Sequence, residues 1–379
     1  MKFTSAVVAG AAVGLTYANP VAKRAAINDA DILQYALTLE HLEATFYAEG
    51  LKNYTRQDFA NAGLNAAAYS NLQMIAGDEM SHVQFLTKAL TAAGAKPVEQ
   101  CTYAFPSTDV ASFLALGNVL EGVGVSAYLG AAASIMDKTY LTAAASILTV
   151  EARHSAYLRA ALGEAASPQP FDDPLDFNEV YTVASPFIVS CPSSNQMLPV
   201  KAFPSLTMSS MAAAMTGSKV QLTAGTGFDM SMDTSDLYAA FITVTGPVWA
   251  PLTSSGSGKF TVTIPSGVAG QSYVVLTKGN SQATDDNIVA GPAIIEVGPM
   301  VGSMNDCGSK SMSMSSMSWA MPTATPTKGM GSGSMPSGSM PSSTSSASSM
   351  PSYNAASGMG AGSITGVLGA VMAAVGLLL

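Results

Sequence analysis

The chain has 379 residues, 48% of them hydrophobic and only 11% charged, with a net charge of −9. That length exceeds one ordinary domain, and the apolar fraction is enough to build a core. The acidic balance argues against nucleic acid, whose phosphates select a basic face, so no nucleic-acid partner is expected.

Residues 1–18 read as a secretory signal: Lys2, an apolar run from Ala6 to Leu15, then Thr16 and Ala18 at positions compatible with cleavage. The run is shorter than the roughly 20 apolar residues of a membrane-spanning helix. Residues 19–25 follow as a short propeptide or linker, in which Lys23-Arg24 is either a dibasic trimming site or a surface pair. Residues 26–190 carry helical periodicity. Asn28-Asp29 caps a helix to about Gly50, with Leu33, Ala36, Glu40, Glu43 and Tyr47 on one stripe. Lys52 to Asn61 reads as a polar loop, and the sequon Asn53-Tyr54-Thr55 makes Asn53 an N-glycosylation candidate where the first helix ends. A second helix, Ala66 to Ala93, is stopped by Gly94 and Pro97. The third starts at Phe105–Asp109 and runs past Glu121 and Tyr128; its Gly122, Gly124, Ala127 and Gly130 suit close helix–helix contact. The fourth spans Tyr140 to Leu162 and ends at Gly163. A shorter segment, Phe177 to Val183, is expected to lie across the bundle.

Residues 191–300 change period. Val220–Leu222, Phe241–Thr245, Phe260–Ile264, Tyr273–Val275 and Ala293–Val297 alternate or run apolar between turns, which suggests a small β-sandwich. Its Asp229, Asp233, Asp236, Asp285 and Asp286 are calcium-ligand types, but solvated loop carboxylates are the commoner use. The domain reads as structural or as a binding module. Residues 301–356 are mostly Ser, Gly, Met, Pro and Thr. Such a segment cannot bury enough to offset its conformational entropy and reads as a disordered, O-glycosylated stalk. The thioethers of Met312, Met314, Met317, Met335 and Met340 suit Cu(I), although nothing fixes their geometry. Residues 357–379 end in the uncharged run Ile364–Leu379, preceded by small residues and a polar spacer. That is the pattern of a GPI-anchor signal, with attachment at Asn354 or, alternatively, Ser357. The expected place is therefore outside the cell, on the plasma membrane through a lipid or in the cell wall. A secretory route permits disulfides. A Cys101–Cys191 bridge would staple the two ends of the helical part and leave Cys307 over, but sequence alone leaves the pairing open. The fold class expected is α+β multidomain: a four-helix bundle, a β-sandwich and a disordered stalk.

Chemistry enters through a doubled motif. Two of the chain's three histidines stand three residues after a glutamate, in Glu79-Met-Ser-His82 and Glu151-Ala-Arg-His154. Each motif is preceded by a Glu with a Tyr seven residues on, Glu40…Tyr47 and Glu121…Tyr128. On a helix, i and i+3 share a face, and i+7 lies two turns along it. Each Glu-x2-His pair thus aims a carboxylate and an imidazole the same way, and a Glu from each of two further helices completes a dinuclear site. Glu121 lies in Asn-Val-Leu-Glu-Gly-Val-Gly-Val, an expensive place for an unpaired acid. Glu43 is an alternative to Glu40, which is preferred for its Tyr47 partner and because Gly124 stands at the matching place in the third helix. His41 adjoins Glu40 and points to another face.

In order and spacing these residues resemble the ligand pattern of the ferritin-like superfamily. The layout from Ala26 to Pro299 resembles fungal ferritin-like stress-response, or desiccation-related, proteins, which are secreted and often surface-anchored. The resemblance implies that Glu40 and Glu121 each bind one metal, that Glu79 and Glu151 bridge, and that His82 and His154 complete the two positions. It makes Tyr47 and Tyr128 hydrogen-bond donors behind the ligands and lets Asp78 orient His154, whereas Val150, at the equivalent place, gives His82 no such partner. Carboxylate-rich ligation suits Fe or Mn, with O2 or peroxide as reactant. The activity implied is that of a di-metal oxidoreductase, ferroxidase-like or manganese-catalase-like, in stress protection. The rival readings are a non-enzymatic wall or surface protein with a scaffold bundle, and copper capture by the methionine tract.

Overall fold

The computed structural model of the chain describes residues 27–208 and 214–298. The expected signal, linker, stalk and anchor tail, with Cys307, the stalk methionines, Asn354 and Ser357, lie outside them.

The helices are α1 (Asp29–Asn53), α2 (Arg56–Asn61), α3 (Ala66–Ala92), α4 (Val110–Ala131), α5 (Lys138–Ala161) and α6 (Phe177–Ala184). Their starts follow the capping chemistry of the sequence. The Asn28 side chain accepts from the backbone N–H groups of Ala30 and Asp31 while Asp31 reaches back, and Asp109 and Asp176 cap α4 and α6 in the same reciprocal way. Gly94 and Gly163, with φ of 76° and 79°, take the left-handed turn just past α3 and α5. The expected loop at 52–61 is corrected: α1 runs on to Asn53, and Arg56–Asn61 is a helix with Thr55 and Asp58 as its capping box. Phe59 anchors it, buried against Tyr69 and Phe113. One large apolar residue in six is too little for a periodicity argument to detect.

α1 packs along α3 and α4 along α5. Residues 110–134 form the one stretch among the described residues long and apolar enough to cross a membrane, yet 89% of its apolar 18-residue window is buried. The stretch is the central helix of the bundle. Strands β1 (Thr102–Tyr103) and β2 (Ile188–Ser190) form a short antiparallel pair beside a Cys101–Cys191 disulfide with Cα atoms 4.2 Å apart.

The β-rich domain comprises β3 (Leu206–Met208), β4 (Lys219–Ala224), β5 (Leu237–Phe241), β6 (Val248–Gly256), β7 (Lys259–Thr263), β8 (Gly270–Lys278) and β9 (Ile288–Val297). They form one sheet in the order β3-β4-β7-β6-β5-β8-β9, with antiparallel neighbours. β6 serves both halves, pairing with β5 through Val248–Pro251 and with β7 through Leu252–Gly256. The ends approach where Gly291 N–H donates to Pro204 O and Ala214 bridges Val297. The two faces expected of a sandwich are thus halves of a single, nearly closed sheet around Leu222, Phe241, Phe260, Val274 and Ile295.

This domain leans on α4 and α5. Tyr273 Oη donates to Gly122 O and accepts from Ser126 Oγ, both at 3.0 Å, while Gln271 donates to Val119 O. A Cβ on Gly122 would stand 2.5 Å from Gln271 Nε2, and one on Gly130 would stand 1.8 Å from Leu175 O. The small residues of α4 therefore admit the β domain and the 172–176 segment, where the sequence suggested another helix.

Candidate metal centre

Four helices bring the repeated motifs to one level of the bundle. Glu40 comes from α1, Glu79 and His82 from α3, Glu121 from α4, and Glu151 and His154 from α5. All six are buried, Glu79, Glu121 and Glu151 with no exposed surface. His82 Nδ1 lies 3.2 Å from each of Glu40 Oε2, Glu79 Oε2 and Glu151 Oε1. His154 Nδ1 lies 2.8 Å from Glu79 Oε1 and 3.3 Å from Glu121 Oε2. A single ring N–H cannot serve three acceptors, so the equal distances mark a shared point rather than a hydrogen bond. Two overlapping groups result, Glu40/Glu79/His82/Glu151 and Glu79/Glu121/Glu151/His154, each with one donor atom per residue and all donors within 4.8 Å. Glu79 and Glu151 belong to both.

The tyrosines support the opposite helix and not their own. Tyr47 on α1 donates to Glu121 Oε1 on α4, and Tyr128 on α4 donates to Glu40 Oε1 on α1. Seven residues of helix span about 10 Å, too far for a Tyr to reach the Glu of its own motif. The twofold repetition of the sequence is what supplies the cross-partner. Asp78 Oδ2 lies 3.2 Å from His154 Nε2. His41 faces away, its Nε2 3.2 Å from Val98 O. Glu43 is buried with the others: a Cβ on Gly124 would stand 3.0 Å from both Glu43 Oε1 and Glu151 Oε2. Gly124 thus gives room to a carboxylate that the six-residue set leaves out. Asn53 is exposed at the last turn of α1, open to a glycan.

Among the described residues, no Lys or Arg pairs with these carboxylates. The protons of the site reflect that. Burial alone would lower both imidazoles, but Glu151, Glu40 and Glu79 hold His82 up to about 12, and Glu121 and Glu79 hold His154 up to about 11. Burial pushes Glu40 up to about 7 against the pull of His82, and burial with the Glu79 charge raises Glu121 and Glu151. Burial would raise Glu79, but the His154 and His82 rings lying against it outweigh that, and it falls to about 2. Burial, followed by the charge of Glu151, raises Glu43 well above the carboxylate range. Buried atoms without a hydrogen-bond partner concentrate here: Glu40 Oε2, Glu79 Oε1, Glu121 Oε2, both Glu151 oxygens and His154 Nδ1. Such orphans are rare in native cores unless a cation faces them. The donor set fits a pair of divalent cations, because their charge would balance that of Glu40, Glu79, Glu121 and Glu151.

Comparison with known proteins agrees with this architecture. Residues 28–164 match the model of the ferritin-like domain, and the chain carries such a domain there. The chain is also similar to protein rds1 of Schizosaccharomyces pombe, 23% identical over 328 residues, covering 71% of this chain and 81% of that protein. The similarity therefore reaches beyond the helical domain.

Proposed function

We propose that this ferritin-like domain holds two iron or manganese ions and uses them in redox chemistry with dioxygen or peroxide, protecting the cell surface under oxidative stress. The observation behind this reading is the convergence of Glu40, Glu79, His82, Glu121, Glu151 and His154 on two overlapping positions whose buried oxygens lack other partners. Glu79 and Glu151 would bridge. Glu40 and His82 would complete one position, Glu121 and His154 the other, each histidine through Nδ1. Tyr47 and Tyr128 hold the remaining oxygens of Glu121 and Glu40 in place. Carboxylate-rich ligation with two imidazoles suits Fe and Mn. A ferrous pair would supply one electron from each ion to convert dioxygen and two protons to hydrogen peroxide; a manganese pair would turn two peroxides into water and dioxygen. The surface location rests on the signal pattern of residues 1–18 and the anchor pattern ending at Leu379.

Metal analysis of the full chain from a secreting host tests the reading. About two Fe or Mn per chain are expected, as the doubled motif requires. Because His82 and His154 hold protons in the metal-free chain, loading at neutral pH is expected to release them, and affinity should rise with pH. A chain that takes up neither metal refutes the assignment.

The arrangement also predicts an asymmetry. Asp78→Asn should weaken one of the two ions by about 10-fold, the low end of the range for a group behind a ligand, because its carboxylate is half-exposed. Calorimetric titration should show one binding step shifted and the other unmoved. Two unmoved steps would mean that Asp78 serves only solvent.

A further inference from the structure

A cavity of about 230 Å³ opens where the helical and β-rich domains meet. Val125 of α4, Ala152, Ser155 and Ala156 of α5, Gln271 of β8 and the segment 166–173 contribute to its walls. On α5, Ala152 follows Glu151 and Ser155 follows His154, so the helix turns both away from the face that carries the metal-centre residues. Junctions between domains are preferred places for small-molecule sites. The space is on the order of fifteen times what one water needs, so it takes a molecule of several heavy atoms. A bare hard cation would be lost in it, since such an ion needs about six to eight oxygens closing on it at roughly 2.3–2.6 Å.

We propose that this cavity binds a small aliphatic amine, held by its ammonium group. The carboxylate of Asp173 carries the argument. It lines the cavity, Asp173 is only 4% exposed, and its hydrogen bond comes from the neutral amide of Gln169 at 3.1 Å. Among the described residues no Lys or Arg bonds to it. Burial pushes it up to about 7, against the Gln169 hydrogen bond and with the charge of Asp172, which stands exposed on the same cavity. A carboxylate so enclosed is stabilised by a cation brought to it and left uncompensated by a neutral polyol. The rest of the lining agrees. Arg159 reaches the cavity, but its Nε donates to Ala165 O and its Nη1 and Nη2 to Glu296, so it is not free to draw in an anion. The amide nitrogen of Gln271 is engaged by Val119 O and Tyr273 Oη, which leaves its carbonyl oxygen as an acceptor, and the Ser155 hydroxyl is another. Acceptors suit an ammonium group with its three N–H donors. Val125, Ala152, Ala156 and Pro168 supply the apolar wall for its methylenes.

Putrescine, an ammonium group at each end of a short methylene chain, is the probe, and its diol analogue is the neutral control. Calorimetry on the full chain is expected to show putrescine bound in the cavity and the diol not bound, and soaked crystals should place an ammonium group against Asp173. Asp173→Asn keeps an oxygen for the Gln169 amide and removes the charge, so it should weaken putrescine by about tenfold or more. Ala156→Leu leaves both carboxylates in place and fills the apolar wall, so it should exclude the amine; it decides the matter if Asp173→Asn does not fold. Neither substitution touches a residue of the metal centre. No putrescine binding by the wild-type chain overturns the proposal. So does a diol that binds as well as the diamine, because charge is then not what the cavity selects. Unchanged affinity in a folded Ala156→Leu chain overturns it too, by placing the amine elsewhere.

Discussion

A chain carrying Glu79→Ala and Glu151→Ala together is expected to bind no iron or manganese, while Glu40→Ala alone keeps one of the two positions. The reason lies in how the groups overlap. Glu79 and Glu151 are members of both candidate positions, whereas Glu40 belongs to one. Without the shared pair, each position retains one Glu and one His, too few donors to hold a hard cation against water. Stability should report the same loss. A ligand bound only by the folded state stabilises it by about 2.7 kcal/mol at a hundredfold excess over its Kd. Wild-type melting should thus rise on adding Mn2+, that of the double variant should not, and Glu40→Ala should show a partial rise. Wild-type metal content in the double variant would remove the two shared carboxylates from the site and with them the dinuclear reading.

What was legible in the sequence was local, or was repeated. Glu-x2-His fixes a shared face because three residues close one helical turn, and its recurrence in a chain with three histidines made coincidence a poor account. The order of helix, helix, helix, helix and then strands was legible from the change of period, from the caps and from Gly94 and Gly163. The reciprocity of Tyr47 and Tyr128 was not, since spacing along one helix says nothing about which helix lies opposite. Glu43 was left ambiguous for a similar reason. It shares the stripe of Glu40, and only the missing side chain of Gly124 on α4 shows that it is accommodated inside. Gly122 and Gly130 signalled a close approach without saying of what, and the partners proved to be Gln271 and the Leu175 carbonyl, far off in sequence. Nor does alternation within a strand reveal that β6 carries one sheet around a corner.

Arg159 drew no notice in the sequence, as one more basic residue in the last turn of a helix. In the fold it is 5% exposed and joins the two domains. Its Nη1 and Nη2 meet the carboxylate of Glu296 on β9 at 3.1 and 2.7 Å, and its Nε donates to Ala165 O at 2.7 Å. Glu164 stands beside the pair, 3.6 Å from Nη1. Replacing Arg159 by Met leaves two part-buried carboxylates facing each other, and breaking a buried pair in this way costs about 3–5 kcal/mol. The low end applies, because the side chains of Glu296 and Glu164 keep 15% and 17% of their surface in water. The loss should depend on pH, and its sign is fixed. Burial and the Glu296 charge push Glu164 up to about 7, and Arg159 opposes that rise. A carboxyl raised in the fold binds its proton there more tightly than in the unfolded chain, so its contribution is present at low pH and lost as pH rises through about 7. Without Arg159 the rise steepens, and the folded state needs the proton more. Denaturant unfolding of Arg159→Met is therefore expected to show its full deficit at pH 8 and a smaller one at pH 5, with the β domain parting from the bundle before either melts. Equal deficits at both pH values would mean that Arg159 serves by packing its stem and not by its charge.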